Sequence, residues 1–323
     1  ELIADPEIDV VDIVTPTALH APIAIAAARA GRHVIVDKPM ACTSREARTM
    51  LAAARAAGVG HAVTFSIRYN VMLEQLRAAC AAGELGEFRF AEGRYWQEWL
   101  LRETDFNWRL MPEQGGSLGM VADAGAHWYD LVQHLTGRRI VRVLADLSTF
   151  IPVRRRPDGT GRTRPYRAQV PDLGIVLCEF DNGARALFST GAISAGHKND
   201  LTIELCGSKA SMRWQQERPD ELWVGRRDRP NEALMKDPAV LAPDARRQSA
   251  LPAGHYEAWS DAFRNLLRRI LTPLAEGFNP RRFEQEAAFP TFVTGVEIAA
   301  IVDAIAASAR AGGRWTPVKS RIS

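Results

Sequence analysis

Cysteine is scarce in this chain, with four in 323 residues. Cys42, Cys80, Cys178 and Cys206 lie far apart and form no C-x-x-C pair, which argues against a zinc knot and a disulfide framework and makes a reducing cytoplasm the expected setting. An excess of one charge is also lacking. Lys plus Arg number 41 against 38 Asp plus Glu, a net +3, so nothing electrostatic calls for nucleic acid or an anionic membrane, and small neutral partners fit better. No apolar run is expected to reach transmembrane length, and Asp5, Glu7 and Asp9 stand where an export signal would need positive charge. H-E-x-x-H is absent, which leaves a zincin-type metal site unsupported. What the chain does have is apolar bulk. At 46% hydrophobic residues it can bury a sizeable core, more naturally as two domains than as one.

Residues 9–15 form a short β-branched run followed by Pro16, the pattern of a strand buried on both faces. From Thr17 the period becomes helical, with Ile23, Ala27 and Ala30 on one side and Gly31 able to end the helix, and residues 33–37 are again an apolar strand. Thr43 and Glu46 make a capping box for a further helix closed by Gly58, and residues 59–67 supply one more strand. This alternation predicts an α/β fold with a doubly wound parallel sheet. Beyond Asn70 and one helix to Gly83 the grammar changes. Strands at 175–180 and 184–190 flank Asp181-Asn182-Gly183, and 201–206 pairs with 211–215 through Gly207-Ser208, so a second, mostly antiparallel sheet is expected. Residues 152–171 and 217–250, rich in Arg, Pro and Gly, read as long surface loops and as candidate oligomer arms. Phe289, Phe292, Val293, Val296, Ala300 and Ala304 mark a final core helix ended by Gly312-Gly313.

Two segments could carry chemistry. Asp37-Lys38-Pro39 sits at the carboxyl end of a predicted parallel strand, where open α/β sheets place ligands. There the Lys38 amine could reach a reacting hydroxyl, although the tripeptide alone also reads as a surface lysine beside a turn. The Lys38-Pro39 bond is open to a cis form. The second segment is Asp123-Ala-Gly-Ala-His127-Trp-Tyr-Asp130. On a helical wheel Ala124, Trp128, Leu131, Val132 and Leu135 form an apolar face, while Asp123, His127, Asp130 and His134 form an adjoining polar stripe. Asp123 lies one turn before His127, the spacing for a carboxylate that orients an imidazole general base, though the same stripe suits a solvated helix face. Asp and His so spaced could also ligate a metal, but no second cluster completes a shell. Tyr95, Trp96, Trp99, Trp108 and Trp128 suggest sugar stacking, and equally ordinary core packing.

Taken together, V-D-I-V-T-P-T-A-L-H from Val11, A-G-R-H-V-I-V-D-K-P from Ala30 and D-A-G-A-H-W-Y-D from Asp123 resemble the Gfo/Idh/MocA oxidoreductases in order and spacing. The similarity runs from Glu1 to the final strand near Trp315. It implies a Rossmann domain, represented here by residues 1–68, and a C-terminal α+β domain for substrate and oligomer contacts over residues 69–323. It further implies catalysis by Lys38, Asp123 and His127, with His127 taking the hydroxyl proton, Lys38 hydrogen-bonding that oxygen and Asp123 orienting sugar and imidazole. Thr15, Pro16, His20, Asp37, Lys38, Trp108 and Arg109 match cofactor-side positions, and Arg68, Asp130 and Trp128 match or adjoin substrate-side ones. Two departures stand out. Asp37 replaces the family's more common Glu before the Lys. The Gly-rich phosphate loop and the ribose-selecting residue do not occur in this sequence, so the chain as written is expected to be N-terminally incomplete and to bind dinucleotide poorly.

The leading expectation is an NAD- or NADP-dependent enzyme moving hydride between a nicotinamide and a secondary hydroxyl of a sugar, anhydrosugar or cyclitol, assembled as a homodimer or homotetramer. A non-catalytic sugar or dinucleotide sensor on the same scaffold is the alternative, and a metal-dependent hydrolase using Asp123, His127 and Asp130 is a third.

Overall fold

The structure is a computed structural model and describes residues 2–320. Its first layer is a parallel sheet in the order β1 (Val10–Ile13), β2 (His33–Val36), β3 (His61–Val63), with α1 (His20–Arg29) and α2 (Ser44–Ala57) as crossovers. The capping box forms: Thr43 Oγ1 accepts from Glu46 N at 3.2 Å, Glu46 Oε2 accepts from Thr43 N at 3.2 Å, and Gly58 ends the helix at φ 66°. The β-branched run on β2 is buried on both faces. Val34 and Val36 join the main core with α1 and α2, while Ile35 and Ala62 join a second cluster with Tyr69, Leu266 and Ile270. The strand expected over 59–67 is shorter. Chain direction changes after Val63 because Thr64 Oγ1 donates to Asp37 Oδ1 at 2.7 Å, and a 3-10 turn follows at Ser66–Tyr69.

The remainder is α3 (Val71–Ala81), β4 (Phe88–Trp96), α4 (Pro112–Gly115), α5 (Met120–Thr136), β5 (Ile140–Ser148), β6 (Val153–Pro157), β7 (Thr163–Arg167), β8 (Leu173–Phe180), β9 (Arg185–Gly191), β10 (Asp200–Gly207), β11 (Ser211–Gln215), β12 (Glu221–Gly225), β13 (Glu232–Met235), α6 (Pro243–Gln248), α7 (Trp259–Glu276), α8 (Phe283–Glu286), α9 (Phe292–Arg310) and β14 (Thr316–Pro317). Nine strands make one sheet in the order β13-β12-β11-β10-β4-β9-β8-β5-β14, antiparallel throughout except for parallel β4 and β9. Both expected loops contain structure. Residues 152–171 hold the β6–β7 hairpin, and 217–250 hold β12, β13 and α6. Their alternation lasts only four or five residues per strand, too short to register against the Arg and Pro around it.

α5 lies on the inner face of this sheet. Its close approach needs glycine at position 93 of β4, where a Cβ would stand 1.9 Å from Trp128 Nε1. α9 packs on α2, α5, β3 and β5 and so ties both sheets together. By length and composition α9 is apolar enough to cross a membrane, contrary to the sequence expectation of no such run. The same apolarity follows from its contact with two sheets at once.

Candidate active site

The carboxyl ends of β1, β2 and β3 are fastened together before any reactive group is placed. Asp37 N donates to Ile13 O at 2.9 Å, and Asp37 Oδ1 accepts from Lys38 N at 2.8 Å as well as from Thr64 Oγ1. His20 is buried between the two turns, with Nε2 2.8 Å from Thr15 O and Nδ1 3.1 Å from Pro39 O. The Lys38–Pro39 bond is cis. Behind it Met40 lies against α9 at Gly295, where a Cβ would meet its sulfur at 2.0 Å. Lys38 emerges from this block and places Nζ 3.0 Å from Asp123 Oδ1 and 3.2 Å from the Asp123 carbonyl.

Asp123 lies in the first turn of α5, where the helix dipole favours a negative charge. Arg109 reaches it from the 3-10 turn Trp108–Leu110, with Nε 3.2 Å from Oδ1 as an ion pair lacking hydrogen-bond alignment. The guanidinium also lies over the Trp108 ring at 4.3 Å. Gly119, the residue before α5, has φ 48°, and a Cβ there would stand 3.0 Å from the Arg109 carbonyl. Glycine is therefore required both by the backbone conformation and by the contact. Burial opposes ionisation of Asp123, but Lys38 and Arg109 outweigh it and hold the carboxyl below its ordinary pKa.

One turn on, His127 is buried, with the rings of Phe65 and Tyr95 each 6.2 Å away. Desolvation, and then the Lys38 charge, push its pKa well below 6.5 in spite of Asp123. The imidazole is therefore neutral at neutral pH. Nδ1 has no hydrogen-bond partner among the described residues, so the expected Asp123–His127 bond does not form. The carboxylate is taken by the two cations, and the imidazole is oriented by packing between Phe65 and Tyr95. A neutral imidazole beside an ammonium ion can accept a proton from a hydroxyl that the ammonium polarises.

Not every expected residue reaches this site. Arg68 and Asp130 make a bidentate pair with each other, Nε to Oδ2 at 2.6 Å and Nη2 to Oδ1, with Asp130 fully buried. Their pairing closes Asp130 to a substrate, and Arg68 faces a different groove alongside Arg139 and Glu297. Trp128 is fully buried, stacked on Phe188 at 4.7 Å. It is a core residue because it stands on the apolar side of the wheel. His20 ties two turns rather than facing a ligand. Phe65 is a neighbour not singled out from sequence, and Tyr95, one of the aromatics expected to stack on sugar, stands beside His127. Alternation of buried Ala91, Gly93 and Tyr95 along β4 was the available signal. Among the described residues no group of three or more His, Cys, Asp or Glu is placed to hold a metal ion.

For a dinucleotide, the observation that bears on fit is Thr15 Oγ1, a buried hydroxyl without a partner at the carboxyl end of β1. Beside it Val14 is 71% exposed. An unsatisfied hydroxyl at the end of a parallel strand suits a ligand lying across the sheet edge.

Comparison with known proteins agrees. Residues 1–65 match the family model described as oxidoreductase family, NAD-binding Rossmann fold, and residues 73–213 match the Gfo/Idh/MocA C-terminal domain. The chain belongs to the Gfo/Idh/MocA oxidoreductase family. It is 34% identical over 233 residues to levoglucosan dehydrogenase of Pseudarthrobacter phenanthrenivorans, covering 69% of this chain and 59% of that one. Its fold superposes on levoglucosan dehydrogenase in complex with NADH and levoglucosan with a TM-score of 0.84 at 30% identity, over 98% of this chain and 82% of that one. On an inositol dehydrogenase homologue from Azotobacter vinelandii in complex with NADH and myo-inositol the TM-score is 0.86 at 28% identity, over 98% and 79%. The chain thus spans about three-fifths of the first of these relatives.

Proposed function

We propose that this family member is an NAD-dependent dehydrogenase acting on a secondary hydroxyl of a sugar, anhydrosugar or cyclitol. The observation that carries the reading is a buried imidazole with an unpartnered Nδ1, one helical turn beyond the carboxylate that holds the Lys38 amine at the carboxyl end of a parallel sheet. Lys38 donates a hydrogen bond to the reacting oxygen, and His127 accepts its proton as the carbinol carbon gives up hydride and becomes a carbonyl. Asp123, with Arg109, fixes the direction of Lys38. Thr15, Pro16, Trp108 and Arg109 would hold the dinucleotide, which when bound supplies the hydride acceptor. NAD is chosen over NADP because the similar solved complexes carry NADH.

On this reading residues 1–68 belong to the cofactor-binding unit and 69–323 to the substrate and assembly unit. The four free cysteines fit a cytoplasmic enzyme. Phe90, Ile175 and Leu177 stand exposed on the face of the nine-stranded sheet away from α5, and a second copy covering them would make a homodimer or, with a further contact, a homotetramer. A sensor on the same scaffold would have no use for a neutral proton acceptor beside Lys38. The test is turnover by the natural full-length protein with NAD and NADP against levoglucosan, myo- and scyllo-inositol and simple hexoses. Reduced nicotinamide that disappears in His127→Gln supports the proposal, and ligand binding without turnover by any substrate refutes it in favour of a sensor.

A further inference from the structure

We propose that the β6–β7 hairpin is a clamp that sets Arg109 against Asp123, with the buried Arg154 as its positioning residue. This rests on the dehydrogenase reading for its kinetic consequence but not for its geometry.

Arg154 is fully buried, and its Nη2 donates to Asp172 Oδ1 at 2.7 Å. Asp172 Oδ2 in turn accepts from the backbone N–H groups of Phe150 at 2.7 Å and Ile151 at 2.8 Å, which fixes the base of the hairpin. The other end of the guanidinium gathers backbone from a separate segment. Nη1 donates to the carbonyls of Leu100, Arg102 and Asp105 at 3.0, 3.2 and 3.3 Å. That segment leads straight into Asn107 and the Trp108–Leu110 turn, and Asn107 Oδ1 accepts from Arg109 N at 3.1 Å. The hairpin holds the turn on both sides. Before it, Arg155 N donates to Glu103 O at 2.7 Å and Tyr166 meets Phe106 edge-on at 5.1 Å; after it, Tyr166 OH donates to Leu110 O at 3.2 Å.

A buried ion pair is weak evidence for stability, since apolar replacements of similar volume are often neutral. Its geometry is more informative. One planar fork fixes three carbonyls of a loop that has no helix or strand of its own, and that loop delivers one of the two cations holding Asp123. The groups that face Asp123 are Lys38 from the end of β2, Arg109 from the clamped turn, Tyr95 from β4 and His127 on its own helix. Of these cations only Arg109 depends on the hairpin. Loosening the clamp should weaken Arg109 alone and let the Asp123 carboxyl titrate at higher pH.

The test compares Arg154→Met, Arg154→Lys and Tyr166→Phe in the natural full-length protein by hydrogen exchange and by the pH dependence of kcat/KM. Faster exchange is expected across residues 100–111 with α5 and α9 unchanged. In Arg154→Met kcat should fall on the order of 10²-fold, the loss typical of a catalytic group displaced by about 1 Å, with KM changing less and the acid limb of the profile moving up. Lysine, which lacks the fork, should not restore it. Tyr166→Phe should show the same changes in smaller size and decides the matter if Arg154→Met does not fold. Exchange in 100–111 that stays at the wild-type rate, or rises equally throughout the molecule while the acid limb stays in place, overturns the clamp. Absence of dehydrogenase activity in the wild type would refute the functional reading while the exchange data still judged the clamp.

Discussion

Replacing Lys38 with Met removes one charge from a cluster of three and should move His127 in a direction that packing alone would not. Lys38 Nζ lies 3.0 Å from Asp123 Oδ1, and both side chains are 14% exposed. At an effective dielectric constant of about 20 such a pair attracts by roughly 5 kcal/mol before desolvation is subtracted, and stripping one partner from a buried pair typically costs about 3–5 kcal/mol of stability. Arg109, 3.2 Å from the same oxygen, remains to hold the carboxylate, so about 3 kcal/mol, the low end of that range, is expected. His127 then loses the cation that depresses it while keeping Asp123, whose charge acts the other way. Its pKa should rise toward, but not past, 6.5, because desolvation persists. Seven histidines make the assay tractable by NMR titration, with His127→Gln assigning the resonance. A His127 that titrates near 6.5 in the wild type, or that fails to rise in Lys38→Met, would refute the electrostatic account of the site.

Acid should destabilise the fold through its buried histidines. His61, His127 and His134 are lowered below 6.5 by desolvation, His134 to about 4, so below pH 6.5 the unfolded chain binds protons first and stability falls with pH. For His134 alone the loss approaches about 3 kcal/mol at pH 4, at 1.36 kcal/mol per unit. Urea melts of wild type and His134→Asn between pH 7 and 4 should show a shallower pH slope in the variant. Asp130→Asn should lower stability by about 3–5 kcal/mol by leaving Arg68 buried and unpaired, with KM for the sugar unchanged in whatever fraction stays folded; a raised KM at full stability would return Arg68 and Asp130 to the substrate site.

Much of the first sheet was legible because each of its signals is local. The β-branched run at Val34 to Val36, the Thr43–Glu46 box and Gly58 each specify their own backbone. The Lys38, Asp123 and His127 positions were legible from three motifs together, while the partner of Asp123 was not. Helical spacing allows Asp123 to reach His127, but Lys38 and Arg109 arrive from 85 residues before it and from a neighbouring loop, and a carboxylate goes to the stronger cations. The pairing of Arg68 with Asp130 was not legible either. Asp130 stands on the polar stripe of α5 and Arg68 in the turn before α3, and nothing in their spacing shows that they satisfy each other. The β6–β7 hairpin escaped because its strands are Arg-rich and the partners of Arg154 lie 49 to 54 residues upstream, in carbonyls that carry no sequence signature.

In the proposed reaction one carbon, flanked by Lys38 and His127, gives hydride to a nicotinamide. Supplying the natural full-length protein with NAD and a polyol deuterated at the carbinol carbon, then examining the reduced cofactor by mass spectrometry, tests it most directly. Deuterium on the nicotinamide, lost with His127→Gln, is the expected result; reduced cofactor without the label, or an oxidised product formed with NAD left untouched, would contradict it.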